Sequence, residues 1–159
     1  MSLHKFALPW ATTALVAATP KTIVEISTSA NDDIELAEIV AGFDASTAGN
    51  IRIELGTFTT TGTGTAVTVA DIVSIASSDR AVTSSLTAAK ISDTVEPTGF
   101  TTAIAGNALW PGILMPLPCY FPFQTPLYEG MTLPHSTLFA IRFTASINCN
   151  TMGWVGWKE

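Results

Sequence analysis

Asp44 and Ser46 are the residues whose types and spacing come nearest to a catalytic pair. They lie two residues apart in FDASTAGNIRIEL, residues 43–55, a small-residue stretch that leads into a strand-like run. A carboxylate close to a hydroxyl is a pairing that acid–base and nucleophilic chemistry use. Asp and Ser are also turn formers, because their side chains accept hydrogen bonds from nearby backbone amides. The small residues at 48–50 favour the turn, so we predict a connection between two strands.

Metal sites and catalytic triads have few other residues to draw on. The two histidines and two cysteines are His4, His135, Cys119 and Cys149, and they show no metal-ligand spacing. His135 precedes Ser136, but neighbouring strand residues point apart and cannot act as base and nucleophile. We therefore expect no enzyme activity, no metal, no cofactor and no small-molecule substrate. Two buried free thiols are favoured over one disulfide bridge.

The composition is typical of an assembly subunit. Only 13% of the 159 residues are charged while 47% are hydrophobic, and the mean hydropathy is +0.39. So few charges cannot cover a whole surface, which predicts that much of it is covered by neighbouring chains. The net charge of −6 and the seven scattered Lys and Arg argue against nucleic-acid binding.

Short strands dominate the pattern along the chain. KTIVEIST at 21–28, NIRIELGTF at 50–58 and TLFAIRFTASI at 137–147 have strand patterns, and 50–58 is the cleanest because Ile51, Ile53 and Leu55 point one way and the charged residues between them the other. In IELAEIVAGF, 34–43, the apolar positions change phase, which predicts a β-bulge in preference to one helical turn. The stretch TTTGTGTAVTVA at 59–70 suits a hairpin or a long flexible loop. Many short strands with Pro/Gly-rich turns predict an all-β fold, a jelly-roll-like antiparallel β-sandwich with an extended N-terminal arm and long Pro/Thr/Gly-rich loops.

Two further segments refine the organisation of this fold. Residues 93–134 contain seven of the nine prolines, and these predict edge strands and ordered loops, because proline donates no ladder hydrogen bond. Residues 1–19 are apolar but too short to cross a bilayer, and we expect no membrane contact. We interpret 1–19 as an N-terminal arm or first strand and 20–159 as a single β-sandwich domain.

Several large aromatic residues are candidates for a contact surface. Trp154 and Trp157 are three apart, so a regular strand places them on opposite faces and the sandwich core buries only one of them. The other needs a second layer, most simply a partner subunit. Aromatic residues elsewhere anchor interfaces or cores more often than they form carbohydrate platforms. The candidate residues for a subunit or capsid interface are Trp10, Trp110, Phe121, Phe123, Trp154 and Trp157.

The order of motifs along the chain resembles that of a known family. The motifs are ALVAATPKTIVEI, GFDASTAGNIRIEL, VEPTG, PLYEGMTLPHSTLFAIRFTAS and the terminal GWVGWKE. Together they resemble the small jelly-roll auxiliary head proteins of tailed bacteriophages, the decoration or cement proteins. The likeness spans nearly the whole chain and includes no catalytic motif.

The resemblance implies a homotrimer bound to the outer surface of the capsid, on the lattice of major capsid proteins. It implies a structural role in the virion, made in the host cytoplasm, in which the protein stabilises the head. A binding module is the alternative: a tail-fibre or spike head that contacts a receptor or host glycans through exposed aromatic residues.

Overall fold

The computed structural model describes residues 5–68, 71–74, 83–104, 107–109, 112–124 and 131–159. These residues form strands and connecting turns, with no α-helix among them. The strands are β1 (Lys5–Leu15), β2 (Lys21–Ser27), β3 (Ile34–Asp44), β4 (Gly49–Thr57), β5 (Thr63–Ala66), β6 (Val73–Ser74), β7 (Ala88–Val95), β8 (Ala103–Ile104), β9 (Asn107–Leu109), β10 (Ile113–Leu117), β11 (Cys119–Gln124), β12 (Met131–Leu133), β13 (Leu138–Ala145) and β14 (Cys149–Lys158).

Two antiparallel sheets pack face to face, which confirms the predicted all-β sandwich. Sheet A has the order β11-β3-β14-β1-β6, with β12 also paired to β3. Sheet B has the order β10-β4-β13-β2-β7-β5, and β8 and β9 form a separate pair.

The strand pairing is nested, from the ends of the chain inward. β1 pairs with β14, β2 with β13, β3 with β11 and β4 with β10. Successive pairs alternate between the two sheets. Eight strands arranged in this way form a jelly roll. Residues Lys5–Leu15 are the first strand of this roll and lie between β14 and β6.

The core lies between the sheets and is built from the predicted alternating residues. Ile51, Ile53 and Leu55 of β4 are fully buried, as are Phe139, Ile141 and Phe143 of β13. Burying one such side chain stabilises the fold by about 1.5–3 kcal/mol. The two sheets also meet through aromatic rings: Phe43 of β3 packs edge-on against Phe143, with ring centroids 4.9 Å apart.

The predicted bulge in β3 is confirmed by the register of its partner β14. Gly156 pairs with Glu38 and the next residue, Trp157, pairs with Leu36, so Ala37 is the extra residue. The insertion changes which face the side chains occupy. Leu36 and Ile39 consequently both point into the core although they are three residues apart.

The proline-rich segment forms the edge strands that its sequence predicts. β10, which contains Pro116, is the edge of sheet B, and β11, which contains Pro122, is the edge of sheet A. The chain passes between them at Leu117–Pro118, whose peptide bond is cis. Prolines are tolerated there because the outer side of an edge strand needs no ladder donor.

The segment at 59–70 differs from the predicted hairpin or flexible loop. Its residues 59–67, which we call the Thr/Gly segment, include β5, and β5 pairs with β7 at the edge of sheet B. The reason is tertiary: the backbone of this segment finds its hydrogen-bond partners on β7 and on buried side chains beneath it. Its composition alone contains no alternating pattern that would identify a strand.

Candidate functional site

The outer face of sheet A carries an unusual set of side chains for a surface. Directly opposed residues of antiparallel strands share a face, so the register identifies which side chains are neighbours. Two adjacent rows cross the sheet: Tyr120–Gly42–Met152, and Pro122–Val40–Trp154–Pro9. We call these seven residues the apolar face.

The largest side chains of the apolar face are exposed to solvent. Tyr120 is 59% exposed, Met152 is 56% exposed and Trp154 is 39% exposed. Monomeric proteins rarely expose contiguous apolar side chains of this size, and large exposed apolar patches generally mark sites that bind a protein, a membrane or a ligand. The arrangement is therefore suited to contact with another apolar surface.

A groove of about 400 Å³ runs between these side chains. Gly42 lies between Tyr120 and Met152, and a Cβ atom there would meet nothing closer than the Met152 carbonyl oxygen at 3.9 Å. Gly153 and Trp10 complete the floor. A Cβ on Gly153 would overlap the Val40 carbonyl oxygen and come within 2.6 Å of the Trp10 ring, so glycine is required there. The floor is closely packed and the space above it is open.

Acidic groups border the apolar face at both ends. Glu38 accepts a hydrogen bond from the Trp154 indole Nε1 at 3.2 Å, which helps to fix the orientation of the ring. Asp44 accepts two hydrogen bonds from Asn150, one from its side chain and one from its backbone amide, and these lower the pKa of Asp44 below its usual value of 3.8. The face therefore has an apolar centre and a polar rim, the anatomy of a protein–protein interface.

The structure separates the predicted interface residues into different environments. Trp154 is exposed and Trp157 is fully buried, as their spacing predicted. Phe123 is half-buried and stacks on Phe121, with ring centroids 6.3 Å apart. Trp10, Phe121 and Trp157 belong to the core of this chain, and Trp110 lies outside the described residues. Among these candidates, Trp154 is the described residue that the apolar face presents to solvent.

Sequence reasoning missed two of the residues that accompany Trp154. Met152 was not singled out, and Gly42 carried no signal that would distinguish it from a turn glycine. Met152 is two residues before Trp154 on β14, and that period-2 spacing places both on one face. Only the register with β3 and β11 shows that Gly42 and Tyr120 lie beside them.

The segment around Asp44 and Ser46 is the predicted strand connection, with one correction. β3 ends at Asp44 and β4 begins at Gly49. Asp44 was expected to bond to the backbone of its own turn, but its carboxylate binds Asn150 of β14 instead. The adjacent strand offers two well-placed donors, which the local sequence does not reveal.

His135 has a carboxylate partner that the sequence did not predict. Its ring Nδ1 lies 3.0 Å from Asp33 Oδ1, and its backbone amide donates to the same oxygen at 2.7 Å. Both side chains are more than half exposed. The adjacent Ser136 donates its backbone amide to the Ser29 carbonyl at 2.7 Å. These contacts join two connecting segments at one end of the sandwich.

The remaining candidate chemistry is sparse in the described residues. Their His, Cys, Asp and Glu side chains form no group of three or more that could hold a metal. Cys119 and Cys149 are free thiols, but only Cys149 is buried as predicted while Cys119 is half-buried; burial raises the pKa of both. None of the described segments is an apolar helix of membrane-spanning length.

Comparisons with known proteins leave the apolar face as the main functional indication. No protein-family model, no curated protein and no solved structure matches this chain.

Proposed function

We propose that this chain is a structural virion protein, a capsid decoration or cement protein that binds the outer surface of the major capsid protein lattice as a homotrimer. The motifs that resemble auxiliary head proteins support the family, and the jelly-roll sandwich agrees with it. The observation that carries the proposal is the apolar face, because it is an exposed apolar centre with a polar rim.

The occupant of the apolar face in this proposal is a second copy of the chain. The low charged fraction of 13% applies to the whole molecule and is suited to burial between identical subunits. Trp154 is the expected anchor, because its ring is large, apolar and already oriented by Glu38. Tyr120 and Met152 would pack around it.

The proposed mechanism is stabilisation by binding, without a chemical step. A trimer that binds the assembled lattice more tightly than free capsid subunits raises the stability of the shell by mass action. Three contacts per trimer act together, so a weak contact per subunit still gives strong attachment. The net charge of −6 suits a position outside the shell, away from packaged DNA.

The first test is the oligomeric state in solution. We expect light scattering coupled to size-exclusion chromatography to give three times the 16.7 kDa mass of one chain. Trp154→Ala should weaken association by roughly 30-fold or more, the minimum for a central interface anchor. Leu114→Ala is the matched control: Leu114 is 68% exposed but lies on β10 of sheet B, so its loss should leave the trimer intact.

The second test is binding to a capsid. The trimer should sediment with emptied, expanded phage capsids and raise the temperature at which they burst. Gly42→Arg places a charge in the groove at a position where the Cβ atom has room, so it should abolish trimer formation while the chain stays folded. A wild-type protein that is monomeric and does not bind such capsids would rule out the proposal.

The groove supports one other function, that of a receptor- or glycan-binding tail-fibre or spike head. Exposed aromatic rings beside a groove of about 400 Å³ are suited to stacking on sugar rings. Binding of a monomer to a glycan array, lost in Trp154→Ala and retained in Leu114→Ala, would favour this alternative over the trimer.

A further inference from the structure

Two acidic side chains lie buried beneath the Thr/Gly segment, on the opposite side of the molecule from the apolar face. Glu25 of β2 is 2% exposed and Asp93 of β7 is 3% exposed. Carboxyl groups are seldom fully buried unless they are paired with a cation or with hydrogen-bond donors. Both groups therefore need such partners close by.

Glu25 is satisfied on one oxygen only. Its Oε1 accepts a hydrogen bond from the Gly62 backbone amide at 2.7 Å. Its Oε2 lies 3.8 Å from the Lys90 ammonium, too far for a hydrogen bond, and that ammonium instead donates to the Gly62 carbonyl at 2.7 Å. If both carboxyl groups are ionised, Glu25 Oε2 and both oxygens of Asp93 lack a donor within the described structure.

The Thr/Gly segment lies directly on the Asp93 carboxyl group. A Cβ atom on Gly62 or on Gly64 would overlap an oxygen of Asp93, so both positions require glycine. The β5–β7 ladder is interrupted at this point, because Thr63 pairs with Val95 while Thr65 pairs with Ile91. The Asp93 side chain therefore lies beneath the segment at the point where the regular pairing of β5 with β7 is interrupted.

The charges around Asp93 are unbalanced. Glu25 faces it from β2, Lys90 from β7 and Glu96 from the residue that follows β7, while the Thr/Gly segment contributes Gly62 and Gly64 at this site. Glu96 is itself bound by the backbone amide of Thr22 at 2.7 Å and by its hydroxyl at 2.6 Å. Two carboxyl groups thus oppose the ionisation of Asp93, and the Lys90 ammonium favours it. One proton would remove a negative charge and supply the missing donor.

We propose that Asp93 retains a proton, donates it in a hydrogen bond to the Glu25 carboxylate, and thereby holds the Thr/Gly segment closed over sheet B, so that loss of this proton opens the segment. Gly62 is the contact between the pair and the segment, since its amide binds Glu25 and its carbonyl binds Lys90. Opening would expose the edge of β7 and hydrate both carboxyl groups.

The titration of Asp93 agrees with this arrangement. Burial, followed by the hydrogen bond with Glu25 and the charges of Glu25 and Glu96, raises the pKa of Asp93 to about 8, and Lys90 opposes the shift. An opened segment would return the carboxyl group to water and to its ordinary value of 3.8. Opening therefore releases a proton at every pH between these two values, and it becomes easier as the pH rises.

The wild-type protein provides the first test. The side-chain carboxyl carbon of Asp93, followed by ¹³C NMR, should titrate with a midpoint near 8. The protection factor of the Gly62 amide against hydrogen exchange should fall roughly tenfold for each pH unit between pH 5 and 8, and then level off. A protection factor is used because it removes the intrinsic pH dependence of exchange.

Two variants identify the group responsible. Asp93→Asn keeps a donor beside Glu25 and cannot ionise, so Gly62 should stay protected with no pH dependence. The matched control is Asp71→Asn, an exposed aspartate beyond the same segment that accepts hydrogen bonds from Thr68, and this variant should retain the wild-type slope.

Each outcome decides the proposal. An Asp93 carboxyl group that titrates near 3.8, a wild-type Gly62 protection factor without pH dependence, or an Asp93→Asn variant with the wild-type slope would overturn it. If Asp93→Asn does not fold, the carboxyl titration and the Gly62 hydrogen exchange of the wild-type protein still test the proposal.

Discussion

The outer faces of the two sheets are covered in different ways. Sheet B is covered by its own chain: the Thr/Gly segment lies over Glu25 and Asp93, and the Phe100 ring lies 3.7 Å from the guanidinium of Arg142. Sheet A leaves Tyr120 and Trp154 exposed. The covered face contains buried charges and the exposed face contains apolar groups, which is the reverse of the usual distribution.

This difference indicates what each face needs. A buried carboxylate requires donors or cations at fixed positions, and a segment of the same chain can supply them. An apolar surface requires only another apolar surface, which a second subunit can supply. In the proposed assembly, sheet B is therefore complete in one chain and sheet A is completed by association.

The largest expected effect is a loss of stability when a substitution disturbs the floor of the apolar face, compared with a substitution in the groove above it. Gly153→Ala forces a Cβ atom into the Val40 carbonyl and the Trp10 ring, and should lower the free energy of unfolding by about 3 kcal/mol. Gly42→Ala is the matched control, because its Cβ projects into open space, and it should change stability by less than about 0.5 kcal/mol. Urea denaturation monitored by tryptophan fluorescence measures both. Equal effects would show that the groove is not open.

The next effect concerns the stability that buried charges contribute on the covered face of sheet B. Glu54 is buried and its carboxylate lies 3.1 Å from Arg142 and 3.3 Å from Arg52. Glu54→Ala leaves the largely buried Arg142 without its partner and should destabilise the fold by about 2–3 kcal/mol. Glu54→Gln keeps the shape and one acceptor, so it should cost less. If Glu54→Ala has no effect on the urea midpoint, the charges beneath this cover are dispensable.

A smaller effect depends on pH and concerns the whole fold. Because the pKa of Asp93 is raised in the native state, the stability it contributes is complete below 3.8 and is lost as the pH rises towards about 8. When the pH is raised by one unit within this range, the stability difference between Asp93→Asn and wild type should therefore grow in favour of the variant by up to about 1.4 kcal/mol. Parallel stability curves for the two proteins would contradict this expectation.

The smallest effect is expected at the rim of the apolar face. The pKa of Asp44 is lowered by its hydrogen bonds to Asn150, so the stabilisation is present above 3.8 and is lost as the pH falls through the lowered native value. Asp44 is exposed, so Asp44→Asn should leave the unfolding midpoint almost unchanged at pH 7. The difference between the two proteins should change only in acid. A large loss of stability at pH 7 would mean that the Asp44–Asn150 contact holds β3 to β14.

Much of the fold follows from local pattern. The alternation of Ile51, Ile53 and Leu55 predicts a strand with one buried face, and the phase change in β3 predicts its bulge. The prolines of β10 and β11 predict edge strands for the same local reason, since each lacks a backbone donor. These features depend on residues close together in sequence, so they are readable without the tertiary structure.

Of the large exposed side chains of the apolar face, the predicted interface residues include only Trp154. The three-residue spacing of Trp154 and Trp157 shows that one ring must leave the core, but not which one. Trp10 and Phe121 are as aromatic as Trp154 and are buried. Aromatic type alone does not distinguish a core anchor from a surface anchor, because both environments favour large apolar rings.

The sequence alone determined the small charged fraction of this chain. It also determined the all-β sandwich, because period-2 alternation and proline positions act over a few residues. Only the tertiary structure decided that Gly42, Tyr120, Met152 and Trp154 share one face, because strand register brings together residues that are far apart in the chain. It alone placed Asp93 beneath Gly62 and Gly64 as well. Both arrangements depend on pairings between distant segments, and those pairings are set by packing the whole core.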